Sequence, residues 1–354
     1  QITDPNFDPN TSFEDYTPQL NFMPRVAFSF PISNDAGFFA HYDVLVQRPP
    51  SNTGGTALDY FYMENPQRFG TATAPASNPD LKPEKTIDYE IGFQSKLSNS
   101  SAIKISAYYK EMRDMIQRRF YTFLPPPLGT YQTFSNVDFG TVKGFSFTYD
   151  LRRTGNIQLS TSYTLQFADG SGSNADSSDG INERGIIREL FPLNFDERHR
   201  ITAVIDYRFT SGKSYNGPRI GGLDIFANAG VNFLLTGVSG RPYSQFQVVP
   251  NPLDQRGLLT INEARLPWIL NADMRVDKNF AIKVSETSKS ALNFNIYLRF
   301  ENLFNTRNIV DVFNVTGDAE DDGYLVASNG LDQQAQILDV GKNLDSFYSH
   351  YDWR

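Results

Sequence analysis

Apolar and polar positions alternate along most of this chain with period two, which is the signature of strands carrying one apolar face. In 86–97, Ile87, Tyr89, Ile91 and Phe93 alternate with Asp88, Glu90 and Gln94. In 102–118 the apolar set opens with Ile103, Ile105, Ala107 and Tyr109. Phe145, Phe147, Tyr149 and Leu151 mark 136–152, and Leu159, Tyr163, Leu165 and Phe167 mark 157–168. Ile201, Ala203, Ile205 and Tyr207 mark 199–210, with Val204 out of phase. Leu223, Ile225, Ala227, Ala229, Val231, Phe233 and Leu235 predict one long strand over 223–239. Leu270, Ala272, Met274 and Val276 mark 269–280, and Leu292, Phe294, Ile296, Leu298 and Phe300 mark 291–301. Two further strands are expected over 23–31 and 37–47. The total is about ten, with no comparable helical stretch.

Alternation does not say which face meets water, but the connections discriminate. Short links near 32–36, 98–101, 153–156, 211–222 and 281–290 alternate with long ones at 48–85, 119–135, 169–198, 240–268 and 302–354. Short turns at one end and long extracellular loops at the other form the layout of an outer-membrane barrel, not of a sandwich with Greek-key crossings. The segments also exceed the roughly 5–6 residues usual in soluble sheets and reach the roughly 9–11 tilted residues that cross a bilayer. Aromatics gather near strand ends (Phe167, Tyr207, Phe209, Trp268, Phe280, Phe300, Phe304), where interfacial girdles belong.

Composition removes other classes. The 354 residues contain no Cys, so disulfides, thiolate metal sites and thiol nucleophiles are excluded. A net charge of −8 without a basic run argues against nucleic acid. No apolar run approaches the roughly 18 residues of a membrane helix. An open ten-stranded sheet would leave two unpaired edges in lipid, where each unsatisfied peptide group costs several kcal/mol. Strands before Gln1 and after Arg354 are therefore expected, with residues 1–354 forming part of a single barrel domain.

Four strings then carry a family resemblance. Asn78-Pro79-Asp80-Leu81-Lys82-Pro83-Glu84, leading into Tyr89-Glu90-Ile91-Gly92, resembles the mid-barrel signature of TonB-dependent receptors. Tyr108-Tyr109-Lys110-Glu111-Met112-Arg113-Asp114-Met115-Ile116 resembles that family's next strand. Asp196-Glu197-Arg198-His199 resembles a later strand opening, and Glu301-Asn302-Leu303-Phe304-Asn305 the penultimate one. The resemblance implies an all-β, antiparallel up-and-down transmembrane barrel of 22 strands, of which this chain supplies about ten consecutive ones. It implies residence in the bacterial outer membrane, contact with its lipid, and import of a bulky ligand such as a siderophore, glycan or peptide. TonB would be engaged through an N-terminal region absent from this chain, and a surface lipoprotein is a further partner the family allows. A transporter-derived barrel serving as scaffold of a larger outer-membrane complex is the alternative. The loops and the acidic stretch near 318–322 resemble Bacteroidetes members more than enteric siderophore receptors.

No catalytic constellation, cofactor motif or enzyme signature is present. The three histidines, His41, His199 and His350, show no metal-ligand spacing. The Asp169 to Gly180 loop lacks the terminal glutamate of a calcium loop, and a solvated loop is preferred there. Asp318, Glu320, Asp321 and Asp322 are the better candidate cation loop, again with a solvated loop as default. Candidate ligand-binding aromatics are Phe120, Tyr121, Phe123, Tyr131 and Trp268. Lys104, Arg200, Arg208, Arg275, Asp277, Arg299 and Glu301 fall on the polar face, which in a barrel lines the lumen.

Overall fold

A computed structural model describes residues 18–49, 75, 78, 80–121, 131–176, 189–246, 258–283, 291–340 and 344–351. Among them the chain forms β1 (Arg25–Pro31), β2 (Ala36–Gln47), β3 (Glu84–Lys96), β4 (Ser101–Tyr121), β5 (Tyr131–Thr154), β6 (Ile157–Gly170) and β7 (Phe191–Pro192). There follow β8 (His199–Arg208), β9 (Ala229–Val238), β10 (Pro242–Phe246), β11 (Leu258–Arg265), β12 (Ile269–Lys283) and β13 (Ala291–Phe300). Two helices, α1 (Ser328–Asp339) and α2 (Asp345–Tyr351), close the chain.

The wall is one antiparallel sheet in the order β1-β2-β3-β4-β5-β6-β8-β9-β12-β13. Every wall strand pairs with its neighbour along the chain, apart from the short β7 and the β10–β11 hairpin, which lie off this path. This is up-and-down connectivity. Among the described residues the sheet does not close: β1 and β13 each have a single neighbour, so the wall is an arc of a barrel. Apart from β1, which holds seven residues, its strands hold ten or more, which at ~3.3 Å per residue and ~45° tilt cover the ~25 Å apolar band of such barrels.

Register shows how the faces separate. One rung runs Phe30, Phe38, Phe93, Ile105, Phe147, Tyr163, Ile201, Gly237 and Leu270 across nine strands. The next rung, one residue along, runs Gly37, Gln94, Lys104, Thr148, Ser162, Thr202, Thr236 and Asn271. Successive side chains point to opposite faces, so the first face is apolar and the second polar. The apolar face is uncovered: Phe28 is 57% exposed, Ile91 55% and Leu298 65%. A soluble sandwich would bury these side chains. Clefts open on the polar face instead. One of about 550 Å³ is lined by Gln94, Lys104, Thr148 and Asp150, and another of about 310 Å³ by Gln158, Ser160, Asp206 and Arg208. Side chains converge on the concave side of a curved sheet, so the polar face is the lumen and the apolar face meets lipid.

The buried core lies at the loop end, not in the wall. Leu81, Ile116 and Phe134 pack with Ala175, while Val142, Ala168 and Leu193 pack against Tyr108 and Met112. Beyond the bilayer the chain meets water on both sides and can build an ordinary core.

Several sequence expectations are corrected here. Within the loop expected over 119–135, the described residues 119–121 and 131–135 are strand, because β4 and β5 continue their pairing to Tyr121 and Tyr131 past a bulge at Asp114, whose φ is 56°. The stretch 240–268 contains the β10–β11 hairpin, and β7 pairs with β6 within 169–198. The C-terminal stretch contains α1 and α2, where no helix was expected; its alternation is absent and Gln and Ala favour helix. The strand expected over 223–239 begins only at Ala229. Asn228 adopts φ 57° and Gly221 and Gly222 adopt φ 59° and 77°, left-handed values that cannot continue a strand. β8 stops at Arg208, two residues short of the range expected for it, where its partner β9 begins.

Candidate ligand-facing surface and motif positions

The motif residues form staples between strands. Asn78 donates from Nδ2 to the Phe134 carbonyl at 2.9 Å and accepts the Asp80 N–H at 3.0 Å. Leu81 is buried in the loop-end cluster. The Glu84 carboxylate accepts the Ile116 N–H at 2.9 Å beside the β4 bulge, where a ladder hydrogen bond is lost. Asn136 completes the staple: its Oδ1 accepts the Lys82 N–H at 2.8 Å, and its Nδ2 donates to the Lys82 and Asp114 carbonyls. Pro79 lies outside the described residues. Pro83 sits just ahead of β3, where its missing N–H costs no ladder bond.

Glu301, Asn302, Leu303, Phe304 and Asn305 build the turn that ends β13. Asn302 and Asn305 take φ 51° and 50°, as asparagine tolerates. Asn302 accepts the Thr306 N–H at 2.8 Å, donates to the Thr306 carbonyl at 3.1 Å, and gives its own N–H to Asp273 at 2.9 Å. Leu303 donates its N–H to the Ala272 carbonyl, tying the turn to β12. Phe304 is exposed, and Glu301 pairs with Arg299 at 3.3 Å.

Asp196 is the buried hub of the loop end. Its Oδ1 accepts the Ala168 N–H at 2.9 Å, and its Oδ2 pairs with Arg265 of β11 and with Arg198 at 3.4 Å. Asn262, in φ 54°, donates to the Pro192 carbonyl at 2.8 Å and to Asn194 at 2.7 Å. These contacts dock the β10–β11 hairpin on the segment that precedes β8. Three residues along the chain from Asp196, His199 faces lipid: its ring stacks on Trp268 at 5.6 Å, and its Nδ1 lies 2.9 Å from the Tyr163 hydroxyl. Tyr42, Tyr89 and Tyr109 form a comparable row, with centroids 5.3 and 6.3 Å apart.

The lumen side carries paired charges. Glu197 binds Arg241 at 2.8 Å and also Arg200, and with Thr164, Gln166 and Phe195 they line a cleft of about 410 Å³ at the loop end. Burial pushes the Glu197 carboxyl upward, but hydrogen bonds from Arg241 and Arg200 outweigh it and hold the group below its usual range. Nearer the short turns, Arg153, Asp206, Arg208, Asp277, Asn295 and Arg275 form one chain of contacts across β5, β8, β12 and β13. Lys104 lies 4.7 Å from the Phe39 ring.

The sequence-selected ligand aromatics are not gathered in one place. Trp268 stands on His199, on the lipid side. Phe120 and Tyr121 lie at the far end of β4, within 5.8 and 5.0 Å of the Arg118 and Arg119 guanidiniums. Phe123 lies outside the described residues, and of Tyr131 only the backbone is described. In the acidic loop three of the four carboxylates turn to backbone: Asp318 accepts the Glu320 N–H, Asp321 the Gly323 N–H and Asp322 the Tyr324 N–H, at 2.7–2.8 Å. Among the described residues no three His, Cys, Asp or Glu converge as metal ligands. His41 lies 3.5 Å from Glu90, and the His350 side chain and residues 177–188 of the other acidic loop are not described. The Arg200–Glu197–Arg241 cleft was not singled out from sequence as a unit, because Arg241 lies more than 40 residues from both partners.

Known proteins share this architecture. Over 103 residues the chain is 29% identical to the iron-regulated outer membrane virulence protein of Vibrio cholerae, a match covering 27% of this chain and 16% of that protein. The outer membrane transporter YddB from Escherichia coli superposes with a TM-score of 0.53 at 14% identity, over 81% of this chain and 37% of YddB. The pyoverdine outer membrane receptor FpvA from Pseudomonas aeruginosa PAO1 gives a TM-score of 0.52 at 11% identity, over 82% of this chain and 33% of FpvA. The chain thus spans well under half the length of either solved relative. At such identities the likeness is one of fold. Residues 3–303 match the family described as TonB dependent receptor-like, beta-barrel. With its antiparallel wall and lipid-facing apolar rungs, the chain belongs to this family of bacterial outer-membrane receptors and transporters, which are not enzymes.

Proposed function

We propose that this arc is wall and ligand-facing surface of an importer that captures a bulky ligand outside the cell and passes it through the barrel lumen. The reading rests on one observation: a polar rung from Gly37 to Asn271 lies on the face that carries the clefts, next to an uncovered apolar rung on the opposite face. Such a wall encloses a wet interior in which a ligand can move without meeting hydrocarbon. The loop-end cleft with Arg200 and Arg241 adds donors for an oxygen-rich ligand, whether siderophore, glycan or peptide. The match to an iron-regulated outer-membrane protein supports trying ferric chelates first. Energy would come from TonB, engaged by a region outside these 354 residues, and a surface lipoprotein would act at the loop end.

Uptake in the native host tests this. A strain lacking the gene should lose growth on one ligand class while retaining growth on the others, and removal of TonB should have the same effect. Full growth on ferric chelates, glycans and peptides, combined with loss of a co-purifying outer-membrane complex, would instead establish the scaffold role.

A further inference from the structure

The link between β8 and β9 sits at the short-turn end, yet it is long and folded. Gly221 and Gly222 make a left-handed turn closed by an Ile220–Leu223 bridge, and Arg219 pairs with Asp224 at 2.9 Å. Tyr215 is buried beneath, its hydroxyl donating to the Pro218 carbonyl at 2.6 Å. The tip is apolar and uncovered: Ile220 is 55% exposed and Leu223 67%, with Ile225 and Phe226 also exposed. In a water-facing turn this pattern is unfavourable.

The direction of the fold explains it. Tyr207 lies on the lipid-facing rung with Val231, Val276 and Leu298. Phe209 stacks edge-on against Tyr207 at 5.2 Å, and Phe226 lies 6.0 Å from Phe209. Lys278, on the same face, donates from Nζ to the Ile225 carbonyl. The turn therefore folds back over the outer side of the wall, and its apolar tip is continuous with the surface that meets hydrocarbon. We propose that this turn is a lipid anchor, with Ile220, Leu223, Ile225 and Phe226 seated at the headgroup–acyl boundary of the periplasmic leaflet. Arg219, paired with Asp224, and Lys278, bound to the Ile225 carbonyl, stand beside the tip and keep their cationic heads at the headgroup level.

This chain contains no cysteine, so once any cysteine elsewhere in the receptor is replaced by serine, single labels report on chosen positions. A nitroxide is attached at Leu223→Cys in the intact receptor, reconstituted in phospholipid bilayers. Matching labels go at Leu298→Cys on the lipid-facing wall and at Asn99→Cys in the exposed β3–β4 turn, and heat-modifiable gel mobility confirms that each labelled barrel is folded. The ratio of collision with oxygen to collision with a water-soluble nickel chelate should match Leu298 and exceed Asn99 several-fold. A ratio equal to that at Asn99 means the tip is in water and overturns the proposal. Shielding from both reagents means a protein covers the tip, and also overturns it.

Discussion

Arg208 reaches across the backbone of Gly230 to place its Nη2 2.6 Å from Asp277 Oδ1, joining β8 to β12 over the intervening β9. A Cβ at Gly230 would lie 2.8 Å from the Arg208 Cζ. Tyr108 uses the same device, crossing Gly144 to donate to Gln166 at 3.2 Å, and a Cβ at Gly144 would lie 2.3 Å from its ring. Glycine is needed at both positions because a long side chain from the neighbouring strand occupies the place its own would take.

Gly230→Ala should displace the Arg208 guanidinium and leave Asp277 without its charged partner. With Asp277 nearly buried, the expected loss is about 1–2 kcal/mol, since charged hydrogen bonds contribute ~1.5–3 and lumen water recovers part. A lower temperature for the heat-modifiable mobility shift would show it. Arg208→Ala in the Gly230→Ala background should add little, because the pair is already broken.

Asp196→Ala should free the β10–β11 hairpin. The carboxylate is fully buried and serves both the Ala168 N–H and Arg265, so about 3–5 kcal/mol is at stake, the usual cost of breaking a buried pair. Hydrogen exchange should speed up at 242–246 and 258–265 while β2 and β3 stay protected. Equal exchange in mutant and native hairpins would refute the docking role.

Glu197 makes the loop end sensitive to acid. Its carboxyl titrates below the ordinary 4.5, so its pairing with Arg241 and Arg200 contributes fully above that value. The contribution declines as pH falls below 4.5 and through the depressed value. Exchange protection around residues 195–200 should therefore hold between pH 7 and pH 5 and weaken in stronger acid. Glu197→Gln should lower protection at neutral pH and flatten that dependence; an unchanged profile would remove Glu197 from the explanation.

Asn302 tests whether the turn after β13 depends on conformation or on hydrogen bonds. Asn302→Gly keeps the φ of 51° without strain but loses both side-chain bonds to Thr306. Asn302→Ala loses the bonds and adds the left-handed penalty of about 1 kcal/mol. Thermal unfolding should rank native above glycine above alanine, and an alanine variant as stable as the glycine one would contradict this account.

The motif residues were legible in sequence as a pattern, but their work was not. Asn78 and Glu84 act on Phe134 and Ile116, 56 and 32 residues away, and only pairing of β3, β4 and β5 brings them into reach. Trp268 read equally well as a ligand aromatic or a girdle residue, and contact with His199 placed it on the lipid side. Alternation misled at Leu223, Ile225 and Ala227, because period two in sequence records which side is apolar, not whether the backbone stays extended.

Sequence alone determined the two-faced wall strands and their up-and-down order along the chain, because side-chain alternation and strand length are local properties of an extended backbone. Tertiary structure decided which strands continue beyond the bilayer, which charges meet, and where the β8–β9 turn lies. Those depend on register between distant segments and on left-handed residues such as Asn228 and Gly221, whose effect is set by the partners that the rest of the wall presents.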